Sequence, residues 1–209
     1  MKQKLILITG SPCVGKTTVA ERLFETCEDS AYFDGDWAWC VNPFSLSDPR
    51  LRNGDKTMSF ALSNYLRSGF AYVIFSSVVI IGAEIREAIL RDIDADGYTT
   101  VAFTLTCSEA TLAERHRRRG DRTSLSYQWL RMPPCPGDRV LDTDGKTPAQ
   151  LDDYEAVMLA GLPNAPSNYS PDSNMQLAEK RMSVVLKRMV KCHKITEDEA
   201  EEIRSKSPY

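Results

Sequence analysis

Gly10-Ser11-Pro12-Cys13-Val14-Gly15-Lys16-Thr17 decides the fold. The stretch satisfies G-x-x-x-x-G-K-[ST] and sits between two segments of different period. Before it, Lys4 to Thr9 (KLILIT) is a short apolar run ending at a glycine, the pattern of a buried parallel strand. After it, Val19, Ala20, Leu23, Phe24 and Cys27 fall on one helical face. Each loop position has a chemical reason. The glycines let backbone N–H groups turn inward around phosphate oxygens, and the helix N-terminus adds its partial positive charge. Lys16 can reach the β- and γ-phosphates, and the Thr17 hydroxyl can ligate Mg²⁺. The candidate cofactor-binding residues here are Gly10, Ser11, Cys13, Val14, Gly15, Lys16, Thr17 and Thr18.

Outward from the loop, strand and helix patterns alternate. Further strands are predicted at Ala31 to Asp34, Tyr72 to Val79, Thr100 to Thr106 and Arg139 to Asp142. Helical spacing covers about Lys56 to Arg67, which Gly69 ends, and Ile81, Ile85, Ala88 and Ile89; Asp96-Gly97 marks a turn. Ser108 is a candidate N-cap for a helix from near Glu109, and Thr147-Pro148 is a second cap followed by proline. Such alternation points to βαβ units and an α/β fold with a five-stranded parallel sheet. Ligands of such sheets sit at the carboxyl ends of the strands, where the motifs after strands one, two and four converge.

The composition removes several classes. The chain has 209 residues, 42% hydrophobic and 26% charged, too apolar for disorder over most of its length. A net charge of −3 and pI near 5.5 argue against a nucleic-acid-coating protein. The longest apolar stretch, Tyr72 to Ala83, is broken by Ser76 and Ser77 and is too short to span a bilayer. The N-terminus lacks the apolar region and cleavage site of a signal peptide. Six cysteines without a C-x-x-C pair, and only two histidines, fit reduced thiols in a cytoplasm and no zinc site. The expected setting is cytoplasmic, with no nucleic-acid or membrane partner.

Two further motifs bear on chemistry. Tyr32-Phe33-Asp34-Gly35-Asp36-Trp37 puts two carboxylates two residues apart at a strand end. Alternation sends both to one side if the extended geometry persists through Gly35. Phosphoryl transfer needs a group to orient the acceptor hydroxyl and another near the metal, and two carboxylates can divide these tasks. The plain alternative is a solvated Asp-Gly turn, which the neighbouring phosphate loop disfavours. Trp37 and Trp39 either line an acceptor pocket or simply pack. Arg115-His116-Arg117-Arg118-Arg119-Gly120-Asp121-Arg122 is the densest positive cluster. It reads as a solvated helix face, a nucleic-acid patch or a lid over the phosphates. Its position, one helix after strand four, favours the lid, with Arg119 and Arg122 as the arginines on phosphate and Gly120-Asp121 as a hinge. His116 reads as a surface residue.

Together the GSPCVGKT loop, the D-G-D turn, the CSEATLAERHRRRGDR segment and the VLDTDGKTP turn resemble the small-molecule P-loop kinases, such as the shikimate, gluconate and adenylate kinases. The DGDW-with-NPF wording is also similar to bacterial nucleotide-kinase-like ATPases. The resemblance covers about residues 1 to 155 and implies a P-loop NTPase three-layer sandwich. It implies an ATP-dependent phosphotransferase acting on a hydroxyl or phosphate of a small molecule. Lys16 and Thr17 would meet phosphate and Mg²⁺, with Asp34 on the metal side and Asp36 at the acceptor hydroxyl. Arg115 and the turn from Asp142 through Gly145 to Lys146 would lie at the nucleotide, the turn beside adenine. Strand three departs from many P-loop NTPases by ending at Phe75-Ser76-Ser77 instead of a Walker B aspartate, an absence that shikimate- and gluconate-type kinases tolerate.

The tail differs. Glu155 to Pro171 and Arg181 to Glu199 resemble the end of the transglycosylase domain of bifunctional penicillin-binding proteins, without the upstream segment that carries that family's essential glutamate. The expected organisation is a kinase domain over 1–153 and a helical extension over 154–209. In the extension, Ala178, Met182, Val185 and Met189 share a face, and Thr196 with Glu199 forms a capping box. The apolar face is expected to dock on the core or on a second copy, forming a homodimer through the tail. The alternative function is a nucleotide-binding regulatory module without turnover.

Overall fold

The computed structural model describes residues 3–45, 47–120, 124–146, 182–183, 185–187, 189–190 and 195–205. Five parallel strands form one sheet in the order β2-β3-β1-β4-β5. They are β1 (Lys4–Gly10), β2 (Ser30–Asp34), β3 (Tyr72–Ser76), β4 (Thr99–Thr106) and β5 (Arg139–Asp142). Strand β1 is central, with Lys4 opposite Tyr72 on one side and Thr99 on the other. All seven of its residues are buried, which explains its near-continuous apolar sequence.

The strand period of two divides the core into two layers. Ile6 and Ile8 of β1 pack with Val19, Ala20 and Leu23 of α1 (Lys16–Thr26) and Leu112 of α4 (Glu109–Arg119). Leu5 and Leu7 face the other way, toward Leu51, Met58, Leu62 and Leu66 of α2 (Leu51–Arg67) and Ile89 of α3 (Ala83–Arg91). The sheet between two helical layers is the expected α/β sandwich.

The local signals hold at several junctions. Ser108 caps α4 by accepting from the Thr111 N–H at 3.2 Å, and Gly120 ends it at φ +69°. Gly69 stands at φ +89° just past α2. Three boundaries differ. Helix α2 begins at Leu51, five residues before the predicted start, because a turn anchored by Asp48 already positions its first N–H groups. Strand β3 ends at Ser76 rather than Val79, and Val79–Ile81 forms a short 3₁₀ turn whose apolar side chains fill the core. The chain also turns at Gly35: a 3₁₀ helix over Gly35–Trp39, capped by the Asp34 side chain, follows β2, so the condition that the chain stay extended through Gly35 is not met.

In the extension, Met182, Leu186 and Met189 pack with Ile195, Ala200 and Ile203 of the chain itself. The last three belong to or flank a C-terminal helix, Glu197–Ser205. Its capping box forms as expected: Glu199 N–H donates to Thr196 Oγ1 at 3.2 Å, and Thr196 N–H donates to Glu199 Oε2 at 2.7 Å. Ala178 and the Thr147-Pro148 cap lie outside the described residues. No helix among the described residues is long and apolar enough to cross a membrane.

Candidate active site

The phosphate loop joins β1 to α1 at the carboxyl edge of the central strand. Gly10 has φ +142° and lies so close to the Leu105 carbonyl that a Cβ there would collide with it. Gly15 caps α1 at φ +109°, and Cys13 also adopts a positive φ, +66°. Val14 is fully buried, Thr18 half-buried and Thr17 exposed at the first turn of α1. Lys16 folds back and donates from Nζ to the Ser11 carbonyl at 3.1 Å. Burial lowers its pKa from the ordinary lysine value, and the nearby Asp36 and Asp34 oppose that shift. Ser11 is buried, and its Oγ has no hydrogen-bond partner. A buried orphan hydroxyl in a glycine-turned loop fits an absent anionic group such as a nucleotide phosphate.

The two carboxylates meet the loop from the β2 side. Asp34 Oδ1 accepts from the Asp36 N–H at 3.0 Å, and Tyr32 OH contacts Asp34 Oδ2 at 3.4 Å and Ser76 Oγ at 2.9 Å. Burial raises the Asp34 pKa, with the Asp36 N–H and Lys16 acting against it. Burial likewise pushes the Tyr32 phenol up to about 12. Asp36 is held by a different pair: its Oδ1 accepts from Ser77 Oγ at 2.8 Å and from the Val78 N–H at 2.9 Å. Ser77 is itself fixed to β1, since its N–H donates to the Ile8 carbonyl at 3.1 Å and its carbonyl accepts from Thr9 Oγ1 at 2.8 Å. Ser77 thus bonds Asp36 directly, and Ser76 reaches Asp34 only through the Tyr32 hydroxyl.

Helix α4 runs past the loop. Arg119, exposed at its last turn, lies near enough to Lys16 to act on its charge. Arg122 lies outside the described residues. Arg115, expected at the nucleotide, is a staple: Nη1 donates to the Val14 carbonyl at 3.0 Å and to Thr143 Oγ1 at 2.9 Å. Its Nη2 donates to the carbonyls of Thr143 and Lys146 at 2.6 and 3.1 Å. The guanidinium thus ties the phosphate loop to the turn that holds Asp142 and Gly145. In that turn Asp142 Oδ1 accepts from the Asp144 N–H at 2.9 Å, and Gly145 has φ +68°. Asp144 Oδ1 in turn accepts from the Ser108 N–H at 2.8 Å. His116 is half-buried with an unpartnered Nε2, not the surface residue expected.

The sequence reading missed Ser77, Thr143, Asp144 and the Arg86–Asp138 pair. Arg86 donates to Asp138 through Nη1 at 2.5 Å and Nη2 at 2.9 Å, and Thr104 Oγ1 adds a bond of 2.6 Å. The pair clamps α3 to the entry of β5. The two aromatics divide. Trp39 is buried, donating from Nε1 to Asp55 at 2.9 Å beneath the Arg52 guanidinium, so it packs. Trp37 is 75% exposed.

No group of three or more metal-type side chains clusters among the described residues. Mg²⁺ in phosphoryl-transfer sites takes one or two protein groups alongside water and phosphate. Thr17 and Asp34, expected on the metal side, are the residues that would hold such an ion.

A parallel sheet with a phosphate loop at its central strand defines a nucleotide-type α/β fold. Residues 6–128 match the AAA domain family model, and the chain belongs to that family. Among solved structures it is similar to a gluconokinase from Sinorhizobium meliloti 1021, at TM-score 0.57 and 20% identity over 83% of this chain and 98% of that one. It is also similar to a sugar kinase from Janibacter sp. HTCC2649, at TM-score 0.54 and 15% identity over 80% and 98%. A Deinococcus radiodurans tunicamycin resistance protein matches at TM-score 0.52 and 20% identity over 75% and 95%. These likenesses show the P-loop kinase fold. Residues 145–190, which overlap the end of the expected kinase domain, match the transglycosylase family model. A 59-residue stretch is 39% identical to penicillin-binding protein 2D of Bacillus subtilis (strain 168), of whose length the chain spans 8%.

Proposed function

We propose that the chain is an ATP-dependent phosphotransferase that moves the γ-phosphoryl group to a hydroxyl or phosphate of a small molecule. The observation that carries this reading is the anchoring of Asp36 by Ser77 and Val78, beside a phosphate loop whose Lys16 feels its charge. Asp36 Oδ1 is occupied by those two donors, which leaves Oδ2 to accept the acceptor's proton. The acceptor oxygen then bonds to the γ-phosphorus as the bond to the β–γ bridging oxygen breaks and ADP leaves. Lys16 and Arg119 would stabilise the charge that builds on the transferring group, the largest part of what a protein does in this reaction. Bound Mg²⁺ would supply further charge neutralisation at the phosphate oxygens. The loop stapled by Arg115 stays in one geometry, so positioning is prepared before the nucleotide arrives.

Asp36→Asn tests the assignment. It is expected to abolish acceptor phosphorylation while leaving ATP affinity largely intact; an equal loss of ATP affinity would assign Asp36 to the metal. ATP binding by the wild-type chain with no acceptor-dependent ADP release across a metabolite screen would favour a binding module without turnover.

A further inference from the structure

The 3₁₀ turn that carries Asp36 is wedged between the end of β3 and α2. At its start, Gly35 is buried. A Cβ on Gly35 would overlap Phe75 Cε2, lie 2.9 Å from Phe75 Cζ and come within 3.1 Å of Ser77 Cβ. Ser77 is the residue whose hydroxyl holds Asp36 Oδ1 at 2.8 Å. At the far end of the turn, α2 closes in. A Cβ on Gly54 would lie 2.6 Å from the Ala38 carbonyl oxygen and 2.8 Å from Trp39 Cδ1, and Trp39 Nε1 donates to Asp55 Oδ1 at 2.9 Å. A glycine permits the close approach at each end.

The β3 wall does not yield easily. Phe75 is fully buried, sits opposite Phe33 in the β2–β3 ladder and stacks on its ring, with centroids 6.0 Å apart and planes at 17°. Ser77 is fully buried too, and its N–H and carbonyl are bonded to Ile8 and Thr9 of β1. Close-packed interiors transmit such a push rather than absorb it. Gly35 does not have a positive φ, so an added methyl is opposed by packing and not by backbone strain. The part left to move is the turn itself, and Asp36 is its next residue.

We propose that Gly35 is a positioning residue: its missing side chain lets the turn rest on Phe75 and Ser77, and that seat sets where Asp36 presents Oδ2 to the acceptor. Asp36 has that task under the phosphotransferase reading, on which the role of Gly35 rests. An alanine methyl lifts the turn off β3 and draws Asp36 away from its two donors, the Ser77 hydroxyl and the Val78 N–H. Misplacing a reacting group by about 1 Å costs roughly a hundredfold in rate. The atoms nearest the added Cβ belong to Phe75 and Ser77, not to the phosphate loop, so nucleotide affinity is spared.

The test compares the full chain with Gly35→Ala, Phe75→Leu and the double variant, since leucine lacks the two ring atoms that meet the added Cβ. ADP release with water as acceptor gives kcat and the KM for ATP, counted per site titrated with a non-hydrolysable ATP analogue. Gly35→Ala is expected to lose roughly a hundredfold in kcat while KM stays within about twofold. The double variant is expected to regain about tenfold over Gly35→Ala and to exceed Phe75→Leu as well. Crystal structures are expected to show the Asp36–Ser77 bond opened in Gly35→Ala and closed again in the double variant. Should Gly35→Ala fail to fold, the double variant set against Phe75→Leu still decides in both measurements. A Gly35→Ala variant with kcat within about twofold of wild type, or one that loses binding sites alone, would overturn the role of Gly35. So would a loss that the double variant shares undiminished, or an Asp36–Ser77 bond kept at 2.8 Å in Gly35→Ala. Failure of the wild-type chain to bind the ATP analogue, or to release ADP to water or to any acceptor of the metabolite screen, would instead sink the phosphotransferase reading, and the crystal structures would still decide the seat.

Discussion

Ser77 donates its hydroxyl to Asp36 at 2.8 Å across 41 residues of sequence, and its own backbone is bonded to both Ile8 and Thr9 of β1. The candidate base is thereby locked to the strand that carries the phosphate loop. In the proposed reaction, nucleotide and acceptor would share that one rigid reference, as in-line transfer demands.

Ser77→Ala removes that positioning donor without touching the phosphate loop. The variant is expected to lose about tenfold in kcat, the worth of roughly one hydrogen bond to a charged group, with ATP affinity unchanged. Steady-state kinetics beside nucleotide titration checks it; equal kcat would mean that the Val78 N–H alone holds Asp36.

The Arg86–Asp138 pair is buried, at 8% and 2% side-chain exposure. Asp138→Ala leaves the guanidinium uncompensated and is expected to cost about 3–5 kcal/mol of stability. Replacing both residues with apolar ones, Arg86→Met with Asp138→Leu, is expected to recover much of that loss. Urea unfolding of the three variants measures it, and a fall below about 1 kcal/mol for Asp138→Ala would contradict the clamp.

Alkaline pH exposes a different weakness. Burial pushes the Cys27 thiol from 9.0 up to about 12. Between those values the folded chain holds the proton that the unfolded chain releases. The stabilisation is therefore complete below pH 9 and is lost as pH rises through about 12. The urea midpoint is expected to fall over this window, and Cys27→Ala is expected to flatten the fall. An identical slope in the variant would remove Cys27 as its source.

Much of the frame was legible in local pattern. The phosphate loop, the β1 run and the Ser108 and Thr196 caps are signals confined to a few residues, where spacing and chemistry are read directly. The site's supports were not. Ser77 reaches Asp36 across 41 positions, Arg86 reaches Asp138 across 52, and Arg115 reaches Val14 across 101. Such pairs form only after the sheet brings distant segments together, and a single sequence carries no trace of them. Gly35 illustrates a local miss. Alternation carries Asp34 and Asp36 to one side only if the chain stays extended through Gly35, but the Asp34 side chain offers the Asp36 N–H an alternative partner, and the strand ends there.

Lys16, buried in the loop and electrostatically coupled to Asp36, is the group proposed to act on a transferring phosphoryl group. The most direct measurement compares acceptor-dependent ADP release by the wild-type chain and by Lys16→Ala. A loss of roughly a thousandfold or more in kcat/KM is expected, because charge stabilisation dominates this chemistry. A Lys16→Ala variant that turned over ATP at the wild-type rate would contradict it.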